Sequence, residues 1–428
     1  MEQPQPASPL TGYQKFVIFI LAITQFTVIL DFMVMSPLGD TLMKSIGMVP
    51  KQFGIAVSAY AFSAGLAGLL TAGFADKFDR KKLLLFFYTG FIIGTLFCGL
   101  VDTYETLVAA RIFTGLFGGV IGSISMAIVT DMFTIQQRGR VMGFLQMGFG
   151  ASQILGIPIG LYLANAWGWH APFLWIVVMA AIVALLILFK MAPVNEHLKI
   201  KQDKSPLLHL WHTIAKSDYR IGFTATALLS IGGFMMMPFG SAYAINNLKV
   251  TPQQLPTIYM VAGVFTLILM PLMGKLSDKF DKFKIFTIAC LWMVGVVLVY
   301  THLGVTPLWI VIILNILMMA GITGRMVPST ALVTGVPDMK DRGAFMSINS
   351  SLQQIAGGIG AWAGGLIIVQ QSTTSPLQHY EVIGYVVAAI TMISIFLMYR
   401  VDKMVKRRMK SYKADGTAQA PEVHLPEM

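Results

Sequence analysis

Two ionisable residues lie inside long apolar stretches of this 428-residue sequence. Asp31 is the one acid of 20 that lies in the interior of such a stretch, away from its ends, and Arg111 lies in the interior of another. Insertion scales put the cost of a charged side chain at the centre of a bilayer at about 2.5 to 3.5 kcal/mol, so a function is the first hypothesis for both. A carboxyl group in low-dielectric surroundings can bind and release a proton near neutral pH. We therefore predict proton coupling by Asp31 and Arg111; a permanent ion pair between two helices is the alternative.

Arg325 is a third charged residue within an apolar stretch. A long arginine side chain can extend from a helix to the polar surface of the membrane. It can also face an internal cavity and attract an anionic group of a ligand. The sequence leaves both interpretations open, and Arg325 is therefore a candidate binding residue.

The elements that must position these residues are twelve apolar runs. Apolar residues make up 56% of the chain and charged residues 12%, about half the charged share of a soluble protein. Runs of about 20 residues match helices that cross a bilayer, where backbone groups must be satisfied within each segment. The sequence thus predicts an all-α membrane protein with twelve transmembrane helices, at about residues 14–38, 54–75, 83–101, 106–130, 139–164, 170–190, 220–246, 256–274, 284–303, 308–334, 343–370 and 380–400.

The basic residues indicate how these helices are oriented. If the chain starts in the cytoplasm, all but five of its 31 Lys and Arg residues fall on the cytoplasmic side. This is the bias of the positive-inside rule, so both termini are predicted to be cytoplasmic. The net charge of +11 then reflects topology and requires no nucleic-acid partner. Counted along their helices, Asp31 and Arg111 lie at similar depth in the outer half of the membrane.

The predicted domain organisation follows from these runs. Two six-helix bundles are joined by a linker with an interfacial helix and are flanked by polar tails, of which the second is basic and partly disordered. The predicted segments are the N-terminal tail 1–13, the first bundle 14–190, the linker 191–219, the second bundle 220–400 and the C-terminal tail 401–428.

The two halves of the chain repeat each other. Residues 76–80, Asp-Lys-Phe-Asp-Arg, recur at 278–282 as Asp-Lys-Phe-Asp-Lys, in the loop after the second run of each half. A second match relates residues 127–160 to residues 331–364. With an even number of helices per half, the copies run in the same direction, as in transporters whose two bundles rock around a central site.

These features resemble the major facilitator superfamily, and within it bacterial drug:proton antiporters and sugar-efflux permeases. Gly274 and Asp278 match the opening of that family's loop signature, and Arg111 with Gly115 resembles its fourth-helix signature. Asp79 and Asp281 stand where the family usually has a second glycine. The resemblance implies a multi-pass protein of the bacterial inner membrane, a monomer, whose first and fourth helices in each half line a cavity.

The repeated loop predicts a conformational latch. Acidic and basic groups in short loops can form salt bridges with one another and with helix ends, and such contacts break when bundles move. We expect Asp76 with Arg80, and Asp278 with Lys282, to form this latch on the cytoplasmic face. The alternative is that the basic residues only determine topology. The repeated acids favour the latch, since Asp contributes little to orientation.

Small residues recur in the fifth and eleventh runs, where they let helix backbones approach closely. In the family, a Gly-Pro-rich fifth helix marks antiporters, but here Ile157 separates the glycine from the proline. Packing is therefore predicted without a statement on the direction of transport. The residues concerned are Gly156, Pro158, Gly160, Gly360 and Gly364.

A substrate pocket is predicted between the helices that line the cavity in the family. Methionine is polarizable and adaptable, which suits an apolar pocket, and a few polar side chains add hydrogen-bonding capacity. The candidate substrate-binding residues are Gln25, Met35, Tyr60, Met236, Asn315, Arg325 and Gln353.

The motifs of other mechanisms are not found in the sequence. There is no phosphate-binding Gly-Lys-Ser/Thr loop and no His or Cys cluster, so we expect no ATP drive, metal or cofactor. No nucleophile with a base lies among the runs, which argues against an enzyme. The prediction is proton-coupled efflux of small drug-like or sugar-like compounds by alternating access, with protons and the lipid bilayer as partners. The alternatives are a proton symporter that imports a sugar or organic acid, and a receptor or scaffold that does not transport.

Overall fold

The first half of the chain folds into six long helical segments. The computed structural model describes residues 10–71, 74–199, 206–338 and 341–414. The helices of the first half are α1 Gly12–Val34, α2 Gly39–Ile46, α3 Pro50–Thr71, α4 Arg80–Cys98, α5 Tyr104–Met132, α6 Ile135–Ala151, α7 Ile157–Trp167 and α8 Ala171–Lys190, with a π-helical turn at Ser152–Gly156 between α6 and α7.

The second half repeats this pattern after a short helix, α9. Its helices are α9 Pro206–Ala215, α10 Ser217–Met236, α11 Gly240–Asn246, α12 Leu255–Lys279, α13 Lys282–Thr301, α14 Leu308–Thr334, α15 Arg342–Ile367 and α16 Tyr380–Ala414. Beyond the helices, an isolated β-bridge joins Val369 to Gln378.

Eleven helical segments in the described part of the chain are long and apolar enough to cross a bilayer. The helix α15 has 26 residues but is more polar, because serine, asparagine and glutamine occupy its first half. It nevertheless packs between α3 and α10 as a member of the bundle. The predicted fold class, an all-α membrane protein of two six-helix bundles related by a parallel repeat, is confirmed.

The repeated loop begins a helix in the same way in both halves. Asp79 precedes α4, and its Oδ1 accepts a hydrogen bond from the backbone N of Lys82 at 3.1 Å. Asp281 precedes α13, and its Oδ1 accepts from the backbone N of Lys284 at 3.0 Å. An aspartate at this position satisfies one of the free N–H groups of a helix start. This is the local role of the two residues that replace the family's second glycine.

Two pairs of helices form the contact between the halves, and they are equivalent under the repeat. In one pair, α3 packs on α15, where a Cβ at Gly54 would lie 2.8 Å from the carbonyl oxygen of Ala361. In the other, α12 packs on the π-helical turn, where a Cβ at Gly263 would lie 2.9 Å from Ile154. Glycine at these contacts allows the helix backbones to approach closely.

The halves are also joined by hydrogen bonds at one end of the bundle. We call the end where α1 begins and α16 finishes the termini end, and the opposite end the far end. At the far end Ser36 Oγ donates to the carbonyl oxygen of Met237, and Ser241 Oγ donates to the carbonyl oxygen of Ser36 at 2.8 Å. Asn246 Nδ2 donates to Asp40 Oδ1 at 2.6 Å. These bonds connect the segments that follow the first helix of each half, which meet because a pseudo-two-fold axis relates the halves.

One segment boundary differs from the sequence prediction. The last helix continues unbroken to Ala414, so residue 400 is not the end of an element. The linker contains the short helix α9, whereas residues 200–205 of the linker lie outside the described residues. Residues 1–9 and 415–428, to which most of the predicted tails belong, also lie outside the described part.

Candidate functional site

The structure brings Asp31 of α1 and Arg111 of α5 into direct contact. Arg111 Nη1 donates to Asp31 Oδ2 at 2.8 Å, and both side chains are completely buried. The second carboxylate oxygen accepts a hydrogen bond from Thr95 Oγ1 of α4 at 3.1 Å. Three helices of the first half therefore meet at one buried carboxylate. An ion pair in such surroundings is shielded from water, so each charge depends on the other for compensation.

Arg111 is only partly satisfied by this pair. Its Nε and Nη2 are buried and have no hydrogen-bond partner among the described residues. Its guanidinium lies over the ring of Tyr60, with Cζ at 4.4 Å from the ring centroid, which is a cation–π contact. An unsatisfied buried donor costs about 1–3 kcal/mol. The site thus holds a buried cation with two nitrogens that have no partner among the described residues.

Glycines set the close packing around this pair. A Cβ at Gly115 of α5 would lie 2.5 Å from the carbonyl oxygen of Tyr60 on α3. On the other side of α1, a Cβ at Gly156 would lie 2.6 Å from Leu30, and one at Gly160 would lie 3.0 Å from Val34. The fifth segment therefore packs closely against the helix that carries Asp31. Pro158 lies between the two glycines, directly after the π-helical turn. Proline has no backbone N–H to donate, so the regular helical hydrogen-bond pattern is interrupted beside it.

The second half holds its own buried cation. Arg325 of α14 is 7% exposed, and its Nη2 lies 3.4 Å from the place a Cβ would occupy on Gly233 of α10. No hydrogen bond or ion pair is formed by Arg325 among the described residues. Its side chain therefore lies between two helices of the second half, at a distance from the helix ends.

The remaining candidate substrate residues do not form one cluster. Met35 and Met236 are buried next to the far-end hydrogen bonds. Gln25 is half-buried beside Gly122, and its Nε2 lies 3.4 Å from the place of a Cβ there. Asn315 is half-buried and donates to the carbonyl oxygen of Val311 on its own helix at 2.9 Å. The structure brings Tyr60 alone among them into contact with Arg111.

The side chain of Gln353 on α15 is exposed. Trp362, nine residues later, is also exposed and lies roughly half a turn around the helix from Gln353. Since the two residues point in opposite directions, the exposed face of α15 changes sides along its length. Gln353 lies in the half of α15 nearer the termini end. The hydrogen bonds that join the two halves at the far end are therefore distant from it.

The latch predicted in the first half has its ion pair in the structure. Arg80 Nη2 contacts Asp76 Oδ1 at 2.7 Å, and Arg80 Nε contacts Asp131 Oδ2 at 3.0 Å. Arg80 Nη1 also donates to the carbonyl oxygen of Ala75 at 3.1 Å. The guanidinium thus ties the loop to the end of α5, and its function as a latch stays a prediction.

Replacing Arg80 should loosen this tie. We expect Arg80→Ala to lower the free energy of unfolding by about 1–3 kcal/mol, because Asp131 and the loop carbonyl lose a buried donor. Arg80→Lys should recover only part, since an ammonium cannot make the forked contact. The melting temperature of the detergent-purified protein measures both. Lys82→Ala, at an exposed position in the same turn, is the matched control; an equal effect of both alanines would contradict the prediction.

The second half uses a different ion pair from the predicted one. Asp278 is exposed and forms no ion pair with Lys282, although both side chains are described. Instead Lys406 of α16 contacts Asp281 at 2.6 Å and Asp402 at 2.8 Å. Partial burial disfavours the charge of Asp281, but hydrogen bonds from Lys406 and from backbone amides outweigh it and hold the pKa of this carboxyl below its usual value. The function of Asp278 and Lys282 as a latch stays a prediction, and the cation that contacts Asp281 comes from the last helix.

Two parts of the site were missed from the sequence. Thr95 was not a candidate, although a threonine in an otherwise apolar run is a visible signal for a buried hydrogen bond. The contact between Asp40 and Asn246 was not predicted either, although their separation of 206 residues is close to the repeat spacing. Matching polar residues at that spacing would have pointed to a contact across the pseudo-two-fold axis.

Comparisons with known proteins agree with this architecture. A model of the Major Facilitator Superfamily matches residues 21–333 and 222–423. The chain is 24% identical over 385 residues to the uncharacterized MFS-type transporter YbcL of Bacillus subtilis, covering 89% of this chain and 95% of the relative. It is also 24% identical over 405 residues to a probable sugar efflux transporter of Helicobacter pylori, covering 90% and 95%.

Among solved structures, the chain is similar to a D-xylose–proton symporter. The TM-score is 0.74 with 15% sequence identity, and the match covers 91% of this chain and 98% of that one. At this identity the likeness describes the fold alone.

Proposed function

The chain belongs to the Major Facilitator Superfamily and is a transporter rather than an enzyme, and on that premise we propose that it exports small amphipathic compounds in exchange for protons. The observation that carries the proposal is the buried contact between Asp31 and Arg111. A carboxylate buried against a guanidinium is a site where a proton and a cation compete for the same oxygen atoms. Protonation of Asp31 releases Arg111, and loss of the proton restores the ion pair.

A chain of aromatic contacts supports coupling between this site and the second half. The ring of Tyr60, which lies under Arg111, is 5.2 Å from the ring of Phe32. Phe32 in turn is 5.6 Å from Phe234 on α10 of the second half. Movement of the Arg111 guanidinium therefore changes a packed contact that crosses between the bundles. We propose that this contact transmits the protonation state of Asp31 to the position of the second half.

The far-end hydrogen bonds support a conformation that is closed at that end. Alternating access then requires the bond between Asp40 and Asn246 to break when the far end opens. Asn246→Asp places a second carboxylate next to Asp40, and repulsion between the two should favour opening. A cysteine at Ser241, which is fully buried, reports this opening through its reaction with a membrane-impermeant maleimide.

We expect labelling of Ser241→Cys to be faster by about 10-fold in the Asn246→Asp background, which corresponds to ~1.4 kcal/mol. The native Cys98 and Cys290 are buried and give little background. Asn247→Asp is the matched control, because Asn247 bonds to Leu377 within the second half. Equal labelling in the two backgrounds would count against a far-end gate.

Direction of transport is tested in everted membrane vesicles with an acidic interior. A panel of radiolabelled sugars and fluorescent dyes is offered outside, and accumulation inside is measured with and without the pH gradient. Exchange for protons predicts accumulation that disappears when an uncoupler collapses the gradient. A symporter would instead drive pre-loaded compound out of these vesicles, and absence of any flux would indicate a receptor or scaffold.

The same experiment bears on the orientation and location that we propose. We propose that the protein lies in a bacterial inner membrane with both termini on the cytoplasmic side, because nearly all Lys and Arg residues lie at the termini end. In everted vesicles a tag on either terminus should then be accessible to protease.

A further inference from the structure

We propose, building on the proposed function, that Arg325 binds an anionic group of the transported compound, so that the substrate class is a small organic anion with an apolar body. Arg325 is 7% exposed and forms no ion pair with any described residue. The one acid within the apolar stretches, Asp31, is already in contact with Arg111. The buried charges of the membrane region therefore sum to one uncompensated cation.

The guanidinium of Arg325 is directed into the space between α14 and α10. Its Nη2 lies 3.4 Å from the place of a Cβ on Gly233, so the absence of a side chain at Gly233 leaves room beside the cation. None of the Arg325 nitrogens is both inaccessible and unpartnered, in contrast to Nε and Nη2 of Arg111. The small exposed part of Arg325 thus includes its hydrogen-bond donors. A ligand that reaches this space meets a guanidinium with all five donors free.

The surroundings of Arg325 suit an amphipathic anion. One turn before it, Gly321 packs on Met293 of α13, and the neighbouring Gly324 faces Ala289 and Met273. These side chains are apolar, and methionine adapts to ligands of different shape. Guanidinium groups bind carboxylates and phosphates through paired hydrogen bonds. The arrangement offers one charged contact for an acid group, and apolar side chains of α12 and α13 pack on the same stretch of α14.

A structural role for Arg325 is less consistent with these contacts. An arginine that stabilises the fold has acidic or carbonyl partners, as Arg80 does. An arginine that extends to the membrane surface exposes its guanidinium there, whereas Arg325 is buried beside Gly233. Because an unpaired buried cation is unfavourable, its retention is expected where a ligand compensates the charge.

Thermal melting of the detergent-purified protein with matched pairs of compounds tests the proposal. The pairs are gluconate and glucose, benzoate and benzamide, and indole-3-acetate and indole-3-acetamide, which differ mainly in charge. We expect at least one anion to raise the melting temperature by about 2 °C or more, while its neutral partner does not. Arg325→Met should abolish this difference, and Arg325→Lys should weaken the affinity for the anion by about 10-fold. Arg400→Met, at an exposed position, should leave the difference intact.

Two results would overturn the proposal. One is a panel in which anions and neutral partners act alike, including no effect of either. The other is a lower melting temperature of ligand-free Arg325→Met than of the native protein, which would assign a structural role to Arg325. Asp31→Asn separates this inference from the proposed function: its anion-dependent shift should persist even though proton-driven flux is lost. If Asp31→Asn retained proton-driven flux, proton coupling would be wrong while the anion site would stand.

Discussion

Asp31→Asn is expected to reduce proton-driven accumulation to the level of vesicles without the protein. Asparagine keeps the shape of the side chain and can still accept a hydrogen bond from Arg111, but it cannot bind a proton and release it. Exchange of labelled for unlabelled compound at equal concentrations needs no proton movement and should continue. The measurement compares these two fluxes in the same proteoliposomes. Asp102→Asn, at an exposed acid near His170, is the matched control and should transport normally.

The stability of this variant gives a second measure of the same contact. Removing one partner of a buried ion pair typically costs about 3–5 kcal/mol, because the other charge stays buried and unpaired. We therefore expect Asp31→Asn to melt at a lower temperature than the native protein. The double variant with Arg111→Gln should recover stability without recovering proton-driven flux, which is the signature of coupled residues. Proton-driven accumulation by Asp31→Asn would show that this carboxylate is not the coupling group.

Gly364→Ala is expected to have the second largest effect, on folding rather than on transport. A Cβ at Gly364 of α15 would lie 2.3 Å from the carbonyl oxygen of Met235, and one at Gly360 would lie 2.4 Å from the carbonyl oxygen of Ile231. Both oxygens belong to the backbone of α10, so the helices must move apart to admit a methyl group. Overpacking of this kind costs about 1–3 kcal/mol or more.

The prediction is checked by expression level and melting temperature in detergent. Gly295→Ala is the matched control, because nothing lies within 4 Å of a Cβ at Gly295 in α13. Alanine is favoured over glycine inside a helix by about 0.5–1 kcal/mol, so the control should melt at the same or a slightly higher temperature. Normal expression and melting of Gly364→Ala would mean that α15 and α10 are less closely packed than these distances indicate.

Much of the site could be predicted because membrane helices impose simple rules on the sequence. Charged residues are rare in lipid, so Asp31 and Arg111 were visible by their surroundings alone. Counting residues along antiparallel spans placed them at similar depth. That count says nothing about which faces of two helices point at each other. The 2.8 Å contact depends on the rotation of α1 and α5, which packing against α3, α4 and α7 determines.

The repeated loop shows that similar sequences in the two halves do not form the same ion pairs. In the first half Arg80 contacts Asp76, as the pattern predicts. In the second half no ion pair joins Asp278 to Lys282 among the described residues, and Asp281 contacts Lys406 instead. Lys406 lies on α16 beyond the last predicted span, where that helix continues past the membrane region. An ion pair depends on the nearest opposite charge in space, and the repeat does not include that residue.

The sequence by itself determined the all-α class, the repeat, the type of buried charge and most span boundaries to within a few residues, the end of the last helix being the exception. It did so because hydrophobic length, loop charge and internal similarity are each local properties of a chain in a bilayer. Only the tertiary structure decided that Arg111 uses a single nitrogen for Asp31, that Arg325 forms no hydrogen bond or ion pair with a described residue, and that Asp40 and Asn246 join the halves at the far end. These facts depend on how helices rotate and how the two halves meet, and contacts between residues that are distant in the chain set both.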